Sequence, residues 1–257
     1  MIKASVYQYF KVTVLILLGY YCLIYQAEAK SPPTLHLIGD STMASRDHSS
    51  GNPEYGWGEA LHRYFKEGVS IKNHAKGGRS AKSFMIDGHW ETAKQEINEG
   101  DWVLIQFGHN DQKKQKPNIF AEAKTEYKNL LQEYILETKE YGANPIIATS
   151  IYRRRFHKDG TLKDTLGEYP LAAREIAQAL NVPLVDMHRA SGSIIQALGI
   201  EGSKQIFLHL KPGENNYYPK GKNDNSHLSK KGAEVIAEAF VIELRRKNTP
   251  LTEWLVE

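Results

Sequence analysis

Three residues of this sequence have the types and spacing that acyl transfer requires. Ser41 closes the short motif Gly39-Asp40-Ser41, and Asp224 stands three residues before His227. A serine hydroxyl becomes a nucleophile when a histidine takes its proton and a carboxylate orients that histidine. Because Asp224 can reach the other ring nitrogen of His227 across a tight turn, we interpret the three residues as a candidate nucleophile, base and orienting acid.

The negative charge that develops on an acyl oxygen needs hydrogen-bond donors, which form an oxyanion hole. The candidates are the backbone N–H groups of Ser41 and Gly78 and the side-chain amide of Asn110. Glycine suits position 78, since a backbone donor that approaches a substrate oxygen tolerates no side chain between them. Each motif alone has a simpler explanation as a turn, a loop or a helix cap. Their combination in one chain favours the catalytic interpretation.

These candidates follow predicted strands. Residues 34–38 are mostly apolar and lead through Gly39 to Ser41, while the apolar residues 101–108 lead to Asn110. In an open α/β sheet, ligands bind beyond the carboxyl ends of the strands. We therefore expect Ser41 and Asn110 to face one cleft.

Strands and helices alternate along the remainder of the chain. Further strands are predicted at 69–75, 145–151 and 183–187, and helices at 56–65, 90–97, 118–141, 169–180, 193–198 and from Ser229 onward. This alternation predicts one domain of class α/β with a five-stranded parallel sheet covered by helices on both faces. Residues 204–225, rich in Lys, Gly, Asn, Tyr and Pro, are predicted to be a long functional loop.

The candidate residues resemble, in chain order, the four sequence blocks of the GDSL/SGNH hydrolases. The blocks correspond to Gly39-Asp40-Ser41, Gly78, Gly108-His109-Asn110-Asp111 and Asp224-Asn225-Ser226-His227. The resemblance implies a flavodoxin-like three-layer α/β/α sandwich. It also implies Ser41, Gly78, Asn110 and His227 as the named residues of the family, with Asp224 as the third triad member.

Three longer segments, at 73–84, 149–156 and 164–169, are similar to the rhamnogalacturonan acetylesterase family. This similarity extends from about Thr34 to Leu244. It implies a secreted carbohydrate O-acetylesterase that acts on acetylated pectic polysaccharide or oligosaccharide. Ser226 stands where Thr is expected and Lys82 where Arg is usual, and neither touches the proposed chemistry.

Other functions are compatible with the same blocks. An esterase of this superfamily can act on other acetylated glycans such as xylan, or on lipid or aryl esters. The segments around the predicted site are rich in Arg, Lys, Asn and Tyr rather than apolar, which disfavours a lipase. A non-catalytic carbohydrate-binding module is disfavoured by the complete set of Ser, Gly, Asn, Asp and His.

The amino terminus has the pattern of a secretory signal peptide. Lys3 and Lys11 accompany an apolar run at 12–25, and Ala27-Glu28-Ala29 predicts cleavage after Ala29. The run falls short of the ~20 residues that span a bilayer, although an uncleaved anchor is the alternative. Cys22 is the only cysteine, so residues 30–257 form no disulfide and need a large core of their own. We expect a secreted or periplasmic protein with no stable membrane insertion after cleavage.

The formal net charge of +3 does not predict nucleic-acid binding. No pair of histidines at ligand spacing predicts a metal site, and no cofactor is expected. His36, His62 and His188 are interpreted as structural.

His109 adjoins Asn110, and Arg153 and Arg154 follow the fourth predicted strand. These three are tentative substrate-binding residues, although the arginines can equally be a solvated run of charge. Together with three lysines of the long loop, the arginines would form a basic rim for uronate carboxylates. Those lysines are Lys211, Lys220 and Lys222.

Overall fold

A five-stranded parallel sheet lies at the centre of residues 31–257, the part of the chain that the computed structural model describes. The strands are Thr34–Gly39 (β1), Ser70–Asn73 (β2), Trp102–Gln106 (β3), Asn144–Ala148 (β4) and Leu184–Val185 (β5). Their order across the sheet is β2-β1-β3-β4-β5. The central β1 and β3 are direct neighbours with Gly39 opposite Gln106, so the segments that follow them leave the same edge side by side. The predicted signal peptide lies outside the described residues.

Helices cover both faces of this sheet. They are Ala81–Ile86 (α1), His89–Lys94 (α2), Glu126–Glu140 (α3), Tyr169–Ala179 (α4), Met187–Gly202 (α5) and Lys230–Arg245 (α6), with 3-10 helices at Trp57–Tyr64, Ser203–Ile206 and Pro250–Trp254. Because strand side chains alternate between faces, each strand serves two cores. Leu104 packs with Trp57 and Phe240 on one face, whereas Ile105 packs with Tyr134 on the other. The predicted three-layer α/β/α sandwich is confirmed, and Pro33–Glu257 forms one compact unit.

The long loop predicted at 204–225 is wrong at both ends. Phe207–Leu210 (β6) and Lys222–Leu228 (β7) pair antiparallel as a separate two-stranded sheet, which leaves only 211–221 as a connecting loop. Each strand is short or polar, so neither has the apolar run by which the other strands are recognised. The candidate residues Asp224 and His227 therefore lie within a strand.

Several helix boundaries also differ from the prediction. The long helix begins at Glu126 instead of near residue 118, because the Glu122 carboxylate accepts hydrogen bonds from the backbone of Lys124 and Thr125 and holds a turn there. The segment at 56–65 forms a 3-10 helix. Helix α1 was not predicted, although the Ser80 hydroxyl caps it by accepting from the Ser83 N–H. Helix α5 extends beyond the predicted 193–198 at both ends and is kinked at Gly199, whose φ of +67° is not helical.

A pair of histidines, one buried and one half-buried, links β1 to the residue that follows β2. The His36 ring is fully buried, with Nε2 at 3.2 Å from the Asp101 carboxylate and Nδ1 at 3.0 Å from His74 Nε2. Burial and the neighbouring His36 ring lower the pKa of His74 to about 4, and burial also lowers the pKa of His36. Both rings are therefore neutral in the folded protein at neutral pH.

The histidine pair predicts a loss of stability in acid. A histidine whose pKa is lower in the folded than in the unfolded state favours unfolding once the pH falls below the unfolded value. Between about pH 6.5 and pH 4 we expect His74 to reduce the free energy of unfolding by roughly 2 kcal/mol. Chemical denaturation at several pH values measures this slope. His74→Gln should flatten it, whereas the exposed control His62→Gln should not; equal slopes in wild type and His74→Gln would exclude the histidine pair as the cause.

Candidate active site

Ser41, His227 and Asp224 meet at the carboxyl edge of the parallel sheet. Ser41 follows β1, and its Oγ lies 3.0 Å from Nε2 of His227 on β7. The other ring nitrogen, Nδ1, lies 2.8 Å from Oδ2 of Asp224. The second oxygen of Asp224 accepts the backbone N–H groups of Ser226 and His227 at 2.8 and 3.0 Å. These bonds make a turn inside the strand, and they hold the carboxylate against the imidazole.

The charges around His227 decide its protonation. Burial lowers the pKa of His227, but the hydrogen bond and charge of Asp224, with the charge of Glu54, raise it above the ordinary value overall. Burial also opposes ionisation of Asp224, yet its hydrogen bonds to His227 and Ser226 bring the pKa of that carboxyl far below its usual range. Asp224 is thus ionised and accepts the Nδ1 proton. This leaves Nε2 of the neutral ring free to accept the Ser41 proton.

A buried chain of hydrogen bonds fixes the turn that carries Ser41. The Thr42 hydroxyl donates to Asp40 Oδ1 at 2.8 Å and accepts from the side-chain amide of Gln106 at 2.8 Å. The Gln106 carbonyl in turn accepts from the Trp57 indole at 3.0 Å. Because Thr42, Asp40 and Gln106 are buried, these bonds are shielded from water. The nucleophile candidate therefore stands on a rigid support.

Each of the three predicted oxyanion donors has an N–H group that is available to a substrate oxygen. Gly78 has φ +76°, a conformation that favours glycine, and a Cβ there would meet open space. Within residues 31–257, the N–H groups of Ser41 and Gly78 donate to no other protein group. One amide hydrogen of Asn110 goes to the Arg79 carbonyl at 2.8 Å, which leaves the second one available. The Asn110 oxygen accepts from Lys113 Nζ at 2.5 Å, which fixes the orientation of the amide.

Asp111 is a site residue whose role the sequence did not indicate. Its fully buried carboxylate accepts the Ala81 N–H at 2.8 Å, so it ties the start of α1 to the segment after β3. With the bond from Asn110 to Arg79, this contact holds the Gly78 loop next to Asn110. Burial raises the pKa of Asp111 to about 8, so the group is largely protonated at neutral pH.

Two charged residues near the triad were also not predicted. Arg46 donates to the Ser41 carbonyl at 2.7 Å and to Glu54. The Glu54 carboxylate lies 3.9 Å from His227 Nε2. Both residues belong to a polar stretch that resembles an ordinary surface loop, and only the folded chain brings them to His227.

The structure places the tentative substrate-binding residues largely inside the protein. His109 is 5% exposed and its Nε2–H donates to the Ile151 carbonyl at 2.8 Å. Burial lowers the pKa of His109, which keeps the ring neutral. Half-buried Arg153 donates to the His109 carbonyl at 2.9 Å and to Thr165.

Arg154 is the predicted rim residue that the structure corrects most clearly. It is 7% exposed and donates to the Ser203 hydroxyl, the Ile200 carbonyl and, at 2.8 Å, the side-chain oxygen of Asn225. Its backbone N–H also donates to the Asn225 carbonyl. Arg154 thus anchors the triad strand β7 to the segment after β4. The segment after the fourth strand meets β7 at Asn225, a contact that the sequence alone does not reveal.

Among residues 31–257, no three His, Cys, Asp or Glu side chains cluster in a way that could hold a metal ion. None of the helices in that range combines the length and apolarity required to cross a membrane.

The fold and the Ser41, His227 and Asp224 geometry are those of an ester hydrolase of the SGNH type. The chain belongs to the GDSL-like lipase/acylhydrolase family, whose model matches residues 35–240. This confirms the resemblance drawn from the four sequence blocks.

Two relatives of the chain are named rhamnogalacturonan acetylesterases. The chain is 37% identical to rhamnogalacturonan acetylesterase RhgT of Bacillus subtilis over 227 residues, which covers 88% of this chain and 96% of the relative. It is 30% identical to a rhamnogalacturonan acetylesterase of Emericella nidulans, with 81% and 83% covered. Family membership and these relatives make the chain a serine esterase.

Solved structures support the same architecture. The YxiM protein of Bacillus subtilis superposes with a TM-score of 0.72 at 25% identity, covering 85% of this chain and 58% of that one. The acetylxylan esterase Axe2 of Geobacillus stearothermophilus superposes with a TM-score of 0.57 at 21% identity, covering 83% and 94%. At that identity, the likeness to Axe2 concerns the fold alone.

The position of Arg154 predicts a structural effect of its removal. Arg154→Ala should reduce the free energy of unfolding by ~2–3 kcal/mol, because it removes the charged donor of the Ser203 hydroxyl, the Ile200 carbonyl and the Asn225 side-chain oxygen. Chemical denaturation measures this change. The exposed neighbour Arg155 offers a matched control, and Arg155→Ala should have little effect. If the two variants are equally stable, Arg154 does not anchor β7 and is again a candidate residue of the basic rim.

Proposed function

We propose that this protein removes acetyl groups from sugar hydroxyls of an acetylated pectic polysaccharide, rhamnogalacturonan. The observation that carries the proposal is the unbroken hydrogen-bonded series Ser41 Oγ, His227 and Asp224, beside backbone donors that have no other acceptor in the described part of the chain. The names of the relatives support acetylated carbohydrate as the substrate class.

Each residue of this series has one part in the proposed reaction. Ser41 Oγ attacks the acetyl carbon while His227 Nε2 takes its proton, and ionised Asp224 stabilises the imidazolium that results. The carbonyl oxygen becomes negative and receives hydrogen bonds from the N–H groups of Ser41 and Gly78 and from Asn110.

The tetrahedral intermediate then collapses. The C–O bond to the sugar breaks, and the leaving oxygen takes the proton from His227. Water attacks the acetyl-enzyme by the same steps in reverse and releases acetate. Asp224, His227 and Ser41 return to their starting protonation states, and one water is consumed for each acetate released.

The hairpin loop 211–221 and its flanks are the revised location of the basic rim, since Arg154 is buried and half-buried Arg153 is bonded to His109 and Thr165. Lys211 and Lys220 are exposed, and Lys222 lies with Nζ 4.9 Å from the centre of the Tyr218 ring. The chain passes directly from this loop to Asp224. Cations beside an aromatic ring suit a polymer that carries a carboxylate and apolar sugar faces. This combination favours a pectic backbone over neutral xylan.

Secretion belongs to the same proposal. A pectic polymer is too large to enter a cell, so the enzyme must meet it outside the cytoplasm. The predicted signal peptide with cleavage after Ala29 supports a secreted or periplasmic location.

The nucleophile is tested by Ser41→Ala. Acetate release from acetylated pectic polymer should fall by at least ~10³-fold, because the acyl-enzyme cannot form. The nearby exposed Ser50→Ala is the matched control and should retain full activity. If folded Ser41→Ala releases acetate at the wild-type rate, Ser41 is not the nucleophile.

The substrate is tested by removing two cations of the rim. Lys211→Ala with Lys220→Ala should raise KM on acetylated pectic polymer several-fold and reduce the effect of salt on it, through loss of charge attraction. Hydrolysis of a small neutral acetyl ester should be unchanged. The control pair Lys139→Ala with Lys247→Ala removes the same charge at the ends of α3 and α6. A preference of the wild type for acetylated xylan would contradict the pectic substrate while preserving the esterase.

A further inference from the structure

We propose that the Arg46–Glu54 ion pair positions and polarises the triad, with its negative end beside the imidazole of His227 and its positive end beside the site of the acyl oxygen. This inference rests on the proposed function, because it assigns the pair to the charge separation of that reaction. Neither residue belongs to the sequence blocks that indicated the site.

The negative end of the pair faces the base. Glu54 Oε1 lies 3.9 Å from Nε2 of His227, the nitrogen that takes the Ser41 proton. The carboxylate is only 14% exposed, so water screens it weakly. The Glu54 backbone N–H donates to the Asn52 side chain at 3.0 Å, which fixes this part of the loop. Glu54 is therefore held where positive charge appears during the attack.

The positive end lies beside the turn that carries Ser41 and the loop that carries Gly78. Arg46 Nη2 donates to the Ser41 carbonyl at 2.7 Å. Arg46 Nη1 lies 3.7 Å from the point where a Cβ on Gly77 would stand, directly before the proposed donor Gly78. The same guanidinium donates through Nε to Glu54 at 2.9 Å. One side chain thus joins the nucleophile turn to the carboxylate that faces the base, and it lies next to the Gly78 loop.

The charges of the pair match those of the reaction. When Ser41 attacks, the imidazole becomes positive and the acyl oxygen becomes negative. A carboxylate beside the first and a guanidinium beside the second stabilise the transition state more than the ground state, because they are fixed before the charges develop. As an ion pair they add no net charge to the cleft.

The groups around the imidazole act on it in different directions. The titratable and charged groups that face His227 are Asp224 on its own strand, Arg46 and Glu54 after β1, and His109 after β3. Burial lowers the pKa of His227, Asp224 and Glu54 raise it, and Arg46 lowers it. Loss of Glu54 and loss of Arg46 should therefore move the titration of His227 in opposite directions.

A structural role alone would give a different result. If the pair only held the loop after β1 in place, Glu54→Gln and Arg46→Gln would both reduce activity at every pH. Both variants would leave the midpoint of the acid limb, which is the fall of kcat/KM at low pH, in place or would move it in the same direction. Opposite movements require the charges themselves.

The test measures kcat/KM against pH on a small neutral acetyl ester, which makes no contact with the basic rim. Glu54→Gln should move the acid limb to lower pH by about 0.5–1 and reduce kcat by ~10-fold, with KM little changed. Arg46→Gln should move the limb to higher pH, and Arg46→Lys should return it toward the wild-type position. Glu234→Gln breaks the surface ion pair of Glu234 with Arg63, at 3.1 Å, and should leave the profile unchanged.

A second measurement separates this inference from the proposed function. The His227 ring can be titrated by NMR in the Ser41→Ala background, where no ester is hydrolysed, with the signal assigned by His227→Asn. Opposite pKa movements on adding Glu54→Gln or Arg46→Gln would support the ion pair. Unmoved or parallel titrations in an enzyme that hydrolyses acetyl esters overturn the inference alone. A wild-type protein that hydrolyses no acetyl ester overturns the proposed function, and this inference with it.

Discussion

The hydrogen bond from Ser41 to His227 is the contact on which the site depends, and it joins residues 186 positions apart in the sequence. One partner stands at the end of β1 in the parallel sheet, while the other stands on β7 in a separate two-stranded sheet. The buried hydrogen bonds of Asp40, Thr42 and Gln106 fix the turn that carries Ser41. His227 is fixed by Asp224. The contacts that hold the hairpin beside the carboxyl edge of the parallel sheet therefore set the 3.0 Å distance between Ser41 Oγ and His227 Nε2.

The oxyanion side of the site is held by a different set of hydrogen bonds. Asn110 and Asp111 leave β3 and bind the backbone on either side of Ser80, so the Gly78 loop is fastened to the strand next to β1. Burial raises the pKa of Asp111 and keeps the group largely neutral, and a neutral acid costs less to bury than a charged one. The two halves of the proposed site thus share the β1 and β3 edge.

The sequence predicted those features that follow from local pattern. Apolar runs before Ser41 and Asn110 located the two strands, and Asp224 and His227 were close enough in sequence to be paired. The sequence did not predict a role for Arg46 and Glu54, because that role depends on their proximity to His227, which is far away along the chain. Arg154 was misplaced for a related reason, since its burial depends on how β7 lies over the segment after β4. Long-range packing is the information that a local pattern lacks.

The attachment of the β6 and β7 hairpin has a consequence for how the enzyme would fail. The hairpin carries His227 and Asp224 but shares no backbone ladder with the parallel sheet, and its tether includes the bonds of Arg154 to Asn225. One end of the hairpin lies in the main core, where Phe207 and Leu228 are buried, whereas the polar segment from Asp224 to His227 is only half-buried. Segments with few buried apolar contacts open at a lower free energy than the core. Warming would then separate His227 from Ser41 before the α/β/α sandwich unfolds, so activity would be lost at a lower midpoint temperature than that of global unfolding. Cooling would restore activity after the local separation, whereas recovery from global unfolding would require refolding.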